Sequence, residues 1–361
     1  MTDSSDLTSP TGAAHRRGPL RAGQRVQLTD ERGRMATITL VEGGEYHSHQ
    51  GVLFHDEIIG QPDAVVVHNS AGHPYQILRP LLKDFVLSMP RGATVVYPKD
   101  AGQIITMADI FPGASVVEAG VGSGALSISL LRAIGDHGYL ASYERREDFA
   151  TIAQANVETF FGKEHPAWSV HIGDFQDTVT SVEAPGSVDR VVLDMLAPWE
   201  CIDAVATVMA PGGVWINYVT TVPQLSKLVE AVRADGRFTE PESFESMVRG
   251  WHVQGLAVRP DHRMVAHTGF LMTCRRLADA QQPLELKRRN KEAEFSAEDI
   301  EAWTPAKDED WSEQAQNIPP VSERKVRRST RDSAAARKAA AHAQDSIERG
   351  ESGKPETEQK S

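Results

Sequence analysis

Three glycines at alternate positions, Gly120, Gly122 and Gly124, stand between a short apolar run and a helical apolar pattern. The run, Val116-Val117, is bounded upstream by Pro112-Gly113 and reads as a buried strand. Leu126, Ile128, Leu130, Leu131 and Ile134 recur at helical spacing until Gly135 stops them. A second strand, Tyr139 to Tyr143, ends on the acid Glu144. The stretch from Ser115 to Glu147 is therefore a βαβ unit with a glycine turn. Such a unit commits the chain to an open α/β sheet, in which glycines without Cβ atoms let backbone approach a ligand and the acid can take a ribose.

The spacing separates two nucleoside chemistries. A dinucleotide fold wants G-x-G-x-x-G, but here the third glycine is Gly124 and the next position is Ala125. Acid-x-Gly-x-Gly-x-Gly, from Glu118 to Gly124, resembles instead the first motif of class I methyltransferases, whose loop packs against the amino-acid and ribose portions of S-adenosylmethionine. Glu144 lies 144 − 120 = 24 residues after Gly120, near the offset of about 20 expected for a ribose-binding acid. The acid serves either cofactor; the glycine spacing favours the methyl donor. The blander alternative is a tight turn with no ligand.

The chain has 361 residues, enough for two domains and a further tail. Its two cysteines, Cys201 and Cys274, have no C-x-x-C spacing, which argues against zinc and disulfide frameworks and for a reducing cytoplasm. Met1 to Arg21 has no apolar core, so no signal peptide is expected, and no run is long enough to span a bilayer. A net charge of −12 argues against a general nucleic-acid binder, although a specific enzyme needs only one basic face.

Taken in order, residues 1–22 read as a flexible leader and 23–88 as a small β-rich domain of short strands and turn clusters. His47, His49 and His55 suggest metal ligands, but no acid or cysteine completes a set, and histidines that satisfy turns are the preferred reading. Residues 89–278 carry the α/β unit. Before it, Pro98 restrains the backbone, Asp100 is placed to cap a helix over Ala101 to Ala108, and Tyr97 either stacks on a base or fills a core. Asp174 after the third strand is placed either for a cofactor adenine amine or as a loop cap. Asp194 ends the fourth strand, Ser187 to Asp194, with Pro198 and Trp199 just behind, as in the acceptor pockets of nitrogen-directed methyltransferases; its bland alternative is an N-cap for a helix from Glu200 to Met209. Trp251 to Pro260 and His267 to Cys274 suggest a closing antiparallel pair. Residues 279–361, with an acidic cluster at Lys307-Asp-Glu-Asp, a basic run from Glu323 and an alanine-rich segment from Ala334 to Ala343, read as a charged, largely disordered tail with a marginal helix.

With these residues assembled, the chain resembles the bacterial and actinobacterial tRNA adenine-58 N1 methyltransferases, the TrmI family. The likeness rests on Met89-Pro-Arg-Gly, Val96-Tyr-Pro-Lys-Asp-Ala, Glu118-Ala-Gly-Val-Gly-Ser-Gly-Ala-Leu, Leu193-Asp-Met-Leu-Ala-Pro-Trp-Glu and Gly255-Leu-Ala-Val-Arg-Pro, and covers about Gly23 to Leu277. It implies a homotetramer with a β-rich N-terminal domain and a seven-stranded methyltransferase domain, acting on the T-loop adenine of tRNA without metal or membrane. Gln103, Glu118, Gly120, Val121, Gly122, Ser123, Gly124, Ala125, Leu126, Glu144, Arg145, Phe149, Asp174, Phe175 and Asp194 are the expected cofactor contacts, although the family varies at Phe149, Asp174 and Phe175. Glu118 is expected to orient the loop by accepting backbone N–H groups, Asp194 to steady the base, and Tyr97 to brace it once it is swung out. A methyltransferase of another RNA or protein acceptor, a nicotinamide oxidoreductase and a non-catalytic RNA-binding subunit are the competing classes.

Overall fold

The computed structural model describes residues 16–284, 296, 298 and 321–348, with side chains in the last stretch as far as 338. Two compact units emerge. One holds the residues up to Pro90, Gln154–His165 and those from Arg324 onward; the other holds Arg91–Ala153 and Pro166–Glu323.

The first unit begins with β1 (Arg25–Asp30), β2 (Met35–Thr39), β3 (Glu45–Ser48), β4 (Gly51–Phe54), β5 (Val66–His68), β6 (Pro74–Leu78) and α1 (Leu82–Ser88). The order β2-β1-β6-β5 is antiparallel throughout, and β3–β4 is a separate hairpin. Period-two alternation turns Val26 and Leu28 inward, where they join Leu20, Leu40, Leu53, Ile58, Tyr75 and Ile77 in one core. The leader expected to reach residue 22 therefore ends earlier: Leu20 is buried and its N–H donates to Gln61 O at 2.8 Å, while residues 1–15 lie outside the described residues. His55 is also buried, its Nδ1 accepting the Val41 N–H, whereas His47 pairs with Glu45 and His49 faces Arg34.

The second unit carries α2 (Pro98–Met107), β7 (Ser115–Ala119), α3 (Ala125–Ile134), β8 (Tyr139–Glu144), the start of α4 (Glu147–Phe161), β9 (Trp168–Ile172), α5 (Phe175–Val182) and β10 (Val188–Asp194). Next come α6 (Ile202–Val208), β11 (Met209–Val219), α7 (Val222–Asp235), β12 (Glu242–Phe244), β13 (Trp251–Gln254), β14 (Ala257–Pro260) and β15 (Phe270–Arg275). They build the seven-stranded sheet β12-β15-β11-β10-β7-β8-β9, parallel from β11 to β9 and antiparallel at β15 and β12. The central strands are apolar on both faces because helices cover both, the reason they read as continuous runs rather than alternations.

The expected closing pair is different in the structure. Trp251–Gln254 folds back on Ala257–Pro260 through Gly255, whose φ of +54° suits a two-residue turn, and the strand that pairs with β15 at the edge is Glu242–Phe244. The short hairpin satisfies its own ladder, so it has no need of β15.

The C-terminal α8 (Glu323–Glu348) spans the basic run and the alanine-rich segment as one helix, longer than the marginal helix expected. Ser329, Ser333 and Ala336 recur at i, i+4 and i+7 and are buried, and Glu158 of α4 accepts hydrogen bonds from Ser333 Oγ and from Arg337 Nε, the latter at 2.8 Å. Packing, not propensity, holds it. The acidic cluster at Lys307 lies outside the described residues.

Candidate active site

From β7 the chain moves outward to β8 and β9, then returns to the other flank of β7 with β10 and β11. Open α/β sheets bind ligands outside the carboxyl ends of their strands at such a reversal. Ala119 is in register with Tyr143 on one side and Leu193 on the other, so the next residue of each strand, Gly120, Glu144 and Asp194, stand side by side at the sheet edge.

The glycine loop fits there through backbone. Gly120, Gly122 and Gly124 all have positive φ, at +86°, +55° and +79°. Gly122 N–H donates to Glu144 Oε2 at 3.0 Å, and Glu144 Oε1 takes the Arg146 N–H at 3.0 Å. Ser123 Oγ accepts the Gly92 N–H at 3.0 Å, which ties the loop to the segment before α2. Val121, Ala125 and Leu126 are buried and anchor the turn and the start of α3.

Glu118 is wholly buried, but the backbone-accepting role expected for it falls to Glu144. Its Oε2 accepts instead from Ser127 Oγ and Ser142 Oγ, each at 2.7 Å, while Oε1 has no partner among the described residues. The reason is position: Glu118 points between α3 and β8, where hydroxyls and not loop amides face it. Burial pushes this carboxyl up to about 7; the two hydroxyls pull it down and Glu144 raises it further. Asp194 is likewise raised to about 7, first by burial and then by the negative charges of Glu118 and Glu144. It does not cap a helix, since a 3-10 turn at Pro198–Cys201 intervenes before α6. The loop behind Asp194 is held by Gln224 Nε2, which donates to Leu196 O at 3.0 Å from the capped start of α7.

Asp174 precedes α5 without a side-chain cap and forms an ion pair with Arg145. Phe175 is buried edge-on to Tyr143 with ring centroids 5.4 Å apart, and Phe149 is buried beneath the Arg146 guanidinium at 3.9 Å. Gln103 lies on the exposed face of α2. Trp199 packs at the margin of the sheet core with Lys227 Nζ 4.3 Å over its ring.

Tyr97 is half-buried at the N-cap of α2. Asp100, expected as a cap, is instead fully buried: its Oδ1 accepts from Lys99 Nζ at 2.7 Å and Ser246 Oγ at 2.8 Å, and its Oδ2 from Thr268 Oγ1 at 2.6 Å. The helix already starts at Pro98, with Tyr97 as its N-cap, so Asp100 stands inside the first turn and its side chain turns inward. Tyr218 donates to Thr268 O at 2.6 Å, and burial, opposed by that bond and aided by Asp100, Asp194 and Tyr97, pushes its hydroxyl up to about 12. Lys99, Tyr218 and Thr268 are the site-flanking residues that sequence reading missed. Lys99 meets Ser246 and Thr268 at 147 and 169 positions away, and Tyr218 meets Thr268 at 50, beyond any local pattern.

A family model described as TrmI-like N-terminal matches residues 18–67, and one described as tRNA methyltransferase complex GCD14 subunit matches residues 75–269. The tRNA (adenine(58)-N(1))-methyltransferase TrmI of Thermus thermophilus is 33% identical over 249 residues, 69% of this chain and 95% of the relative. This chain belongs to the TrmI family. Another member, the tRNA (adenine(57)-N(1)/adenine(58)-N(1))-methyltransferase TrmI of Methanocaldococcus jannaschii, is 29% identical over 69% of this chain and 93% of its own length. Among solved structures, the tRNA (m1A58) methyltransferase TrmI of Aquifex aeolicus aligns with a TM-score of 0.63 at 26% identity, covering 72% of this chain and all of that one. A SAM-dependent O-methyltransferase from Thermotoga maritima aligns at 0.68 and 29%, covering 73% and 96%.

Proposed function

We propose that this chain is an S-adenosylmethionine-dependent methyltransferase that modifies N1 of the T-loop adenine, position 58, of tRNA. The observation that carries the reading is the row of Gly120, Glu144 and Asp194 along the sheet edge with Glu118 buried behind it, where the charges acting on Asp194, after its burial, are both negative. A cationic sulfonium and its ammonium group suit that field; the pyrophosphate of a nicotinamide cofactor does not. The positive-φ backbone of the loop fits the same ligand.

When bound, S-adenosylmethionine supplies an electrophilic methyl group. Glycines 120 to 124, with Ala125 and Leu126, offer backbone to it, Glu144 its ribose contact, and the Arg145–Asp174 pair, Phe149, Phe175 and Gln103 the remaining boundary. Adenine N1 has an in-plane lone pair, so no base is needed before attack and the protein's main work is alignment. The base gains positive charge as N1 is methylated. Asp194, ionised, accepts from the exocyclic amine and stabilises that charge. N1 faces a pairing partner inside folded tRNA, so the base is swung out, and Tyr97 braces its ring.

Self-association into a homotetramer is supported by the β13–β14 hairpin, which exposes Trp251, Val253, Leu256 and Val258 together. A cytoplasmic site of action agrees with two free, buried cysteines, and among the described residues no helix is long and apolar enough to cross a membrane.

The deciding experiment incubates the protein with methyl-labelled S-adenosylmethionine and total tRNA, then maps the labelled nucleoside. Label in N1-methyladenosine at position 58 is expected. Label in another acceptor, or none in tRNA, overturns the reading.

A further inference from the structure

The chain carries a net charge of −12, yet α8 concentrates the opposite sign. Between Glu323 and Lys338 stand seven cations (Arg324, Lys325, Arg327, Arg328, Arg331, Arg337, Lys338) against two anions (Glu323, Asp332), a local balance of 7 − 2 = +5. Arg324, Arg328 and Arg331 recur at i, i+4 and i+7, so they share one stripe, and all three are exposed. The buried stripe of Ser329, Ser333 and Ala336 is displaced from it by five residues, about 140° around a helix of 3.6 residues per turn. The helix is thus docked by one face, through Glu158, and presents cations on another.

Among the described residues, no acid forms an ion pair with Arg324 or Arg328. Beneath the stripe, burial lowers the pKa of Arg25 of β1, Asp332 raises it and Arg328 lowers it, so Asp332, the acid beside this face, already faces a partly buried arginine. Arg331 reaches Asp332 only at 3.9 Å. A row of exposed guanidinium groups spaced along a rigid helix complements a polyanion with regularly spaced phosphates, and Arg suits phosphate by its planar fork of donors.

We propose that the exposed face of α8 is a binding surface for the phosphate backbone of the RNA substrate, adding affinity without reading sequence. The inference rests on the tRNA reading of the active site. It assigns substrate grip to a segment outside the residues matched by the family models, which end at residue 269.

The test uses the full chain and an unmodified tRNA transcript. Direct binding is measured across a salt series for the wild type, for the triple variant Arg324→Gln, Arg328→Gln, Arg331→Gln, and for the matching triple Arg→Lys variant. Unchanged melting temperature and helix content establish that the variants fold. In the Gln variant, tRNA binding is expected to weaken about tenfold near 0.1 M salt and the log–log salt slope to become shallower by about 2, with kcat and the KM for S-adenosylmethionine unchanged. The Lys variant should keep most of the slope. An unchanged slope and tRNA KM in the Gln variant overturn the proposal. So does a change in oligomeric state by light scattering with tRNA affinity intact, which would make the face a contact between copies. If the wild type binds tRNA with a steep salt slope but methylates none, the functional reading fails while the Gln variant still decides this one.

Discussion

A Cβ placed on Gly120 would lie 1.8 Å from the carbonyl oxygen of Asp194. The first glycine of the loop is thus absent a side chain because the neighbouring strand end occupies that space, and the same contact fixes the loop against the proposed acceptor-binding acid. Gly122 differs: its nearest neighbour to an added Cβ is Ala93 Cβ at 3.5 Å, an ordinary contact. Gly120→Ala should therefore lose cofactor binding by tenfold or more, or fail to fold. Gly122→Ala should cost only the left-handed backbone penalty of about 1–2 kcal/mol. Calorimetric titration with S-adenosylmethionine and thermal melts of both variants check this; equal effects would remove the backbone approach as the explanation.

Asp194→Ala should reduce turnover by about a hundredfold or more, the scale seen on removing one preorganised stabilising group, with cofactor affinity changed only a few-fold. Single-turnover methyl transfer alongside equilibrium cofactor binding separates the two. Near-native turnover would discard Asp194 as the base-steadying group.

The carboxyls of Glu118 and Asp194, both raised to about 7, titrate as a coupled pair. Unfolded, they would titrate near 4. Between roughly pH 4 and 7 the folded, ligand-free protein therefore binds more protons than the unfolded chain, and stability falls as pH rises through that window. Glu118→Gln should flatten this fall and raise the neutral-pH stability of the ligand-free protein by about 2 kcal/mol. If Asp194 acts in its ionised form, as proposed, kcat/KM should rise with pH through about 7, and Glu118→Gln should shift that limb to lower pH by removing a negative neighbour. Melting curves and rate profiles from pH 5 to 9 check both, and a Glu118→Gln profile that matches wild type discards the coupling.

Tyr97→Ala should lower turnover more than S-adenosylmethionine affinity, and Tyr97→Phe, which keeps the ring, should retain most of it. Small and equal effects on both would leave Tyr97 a packing residue.

Asp100→Ala strips a fully buried partner from Lys99, whose side chain is itself only 6% exposed. Breaking one side of such a pair costs about 3–5 kcal/mol. The melting temperature should drop on the order of 10 °C for a unit of this size. A melt within two degrees or so of wild type would mean that Lys99 finds other compensation.

Much of the site was legible because its residues sit next to one another in sequence as well as in space. Strand, alternate glycines, helix and acid form one continuous βαβ unit, and hydrophobic periodicity reports such local order directly. Asp194 was legible for a similar reason: an acid ending an apolar strand stands at the ligand edge of any parallel sheet. The Trp251–Pro260 segment misled because its apolar content fits a sheet strand as well as an exposed hairpin, and only the pairing partner separates the two. Glu118 misled because an acid two residues before a glycine loop reads as a loop ligand, whereas its burial beside Ser127 and Ser142 is a matter of how α3 packs on β8.

The sheet class, the glycine loop and the acids at the strand ends are written into local stretches of the chain, since backbone conformation and hydropathy patterning act over a few residues. It took the folded chain to bring Glu118, Glu144 and Asp194 into one field, to lock Lys99 and Asp100 to Ser246 and Thr268, and to dock α8 with its cations outward. Those relations depend on which distant segments come into contact, and contact between segments far apart in the chain is set by packing of the whole core, which no local pattern encodes.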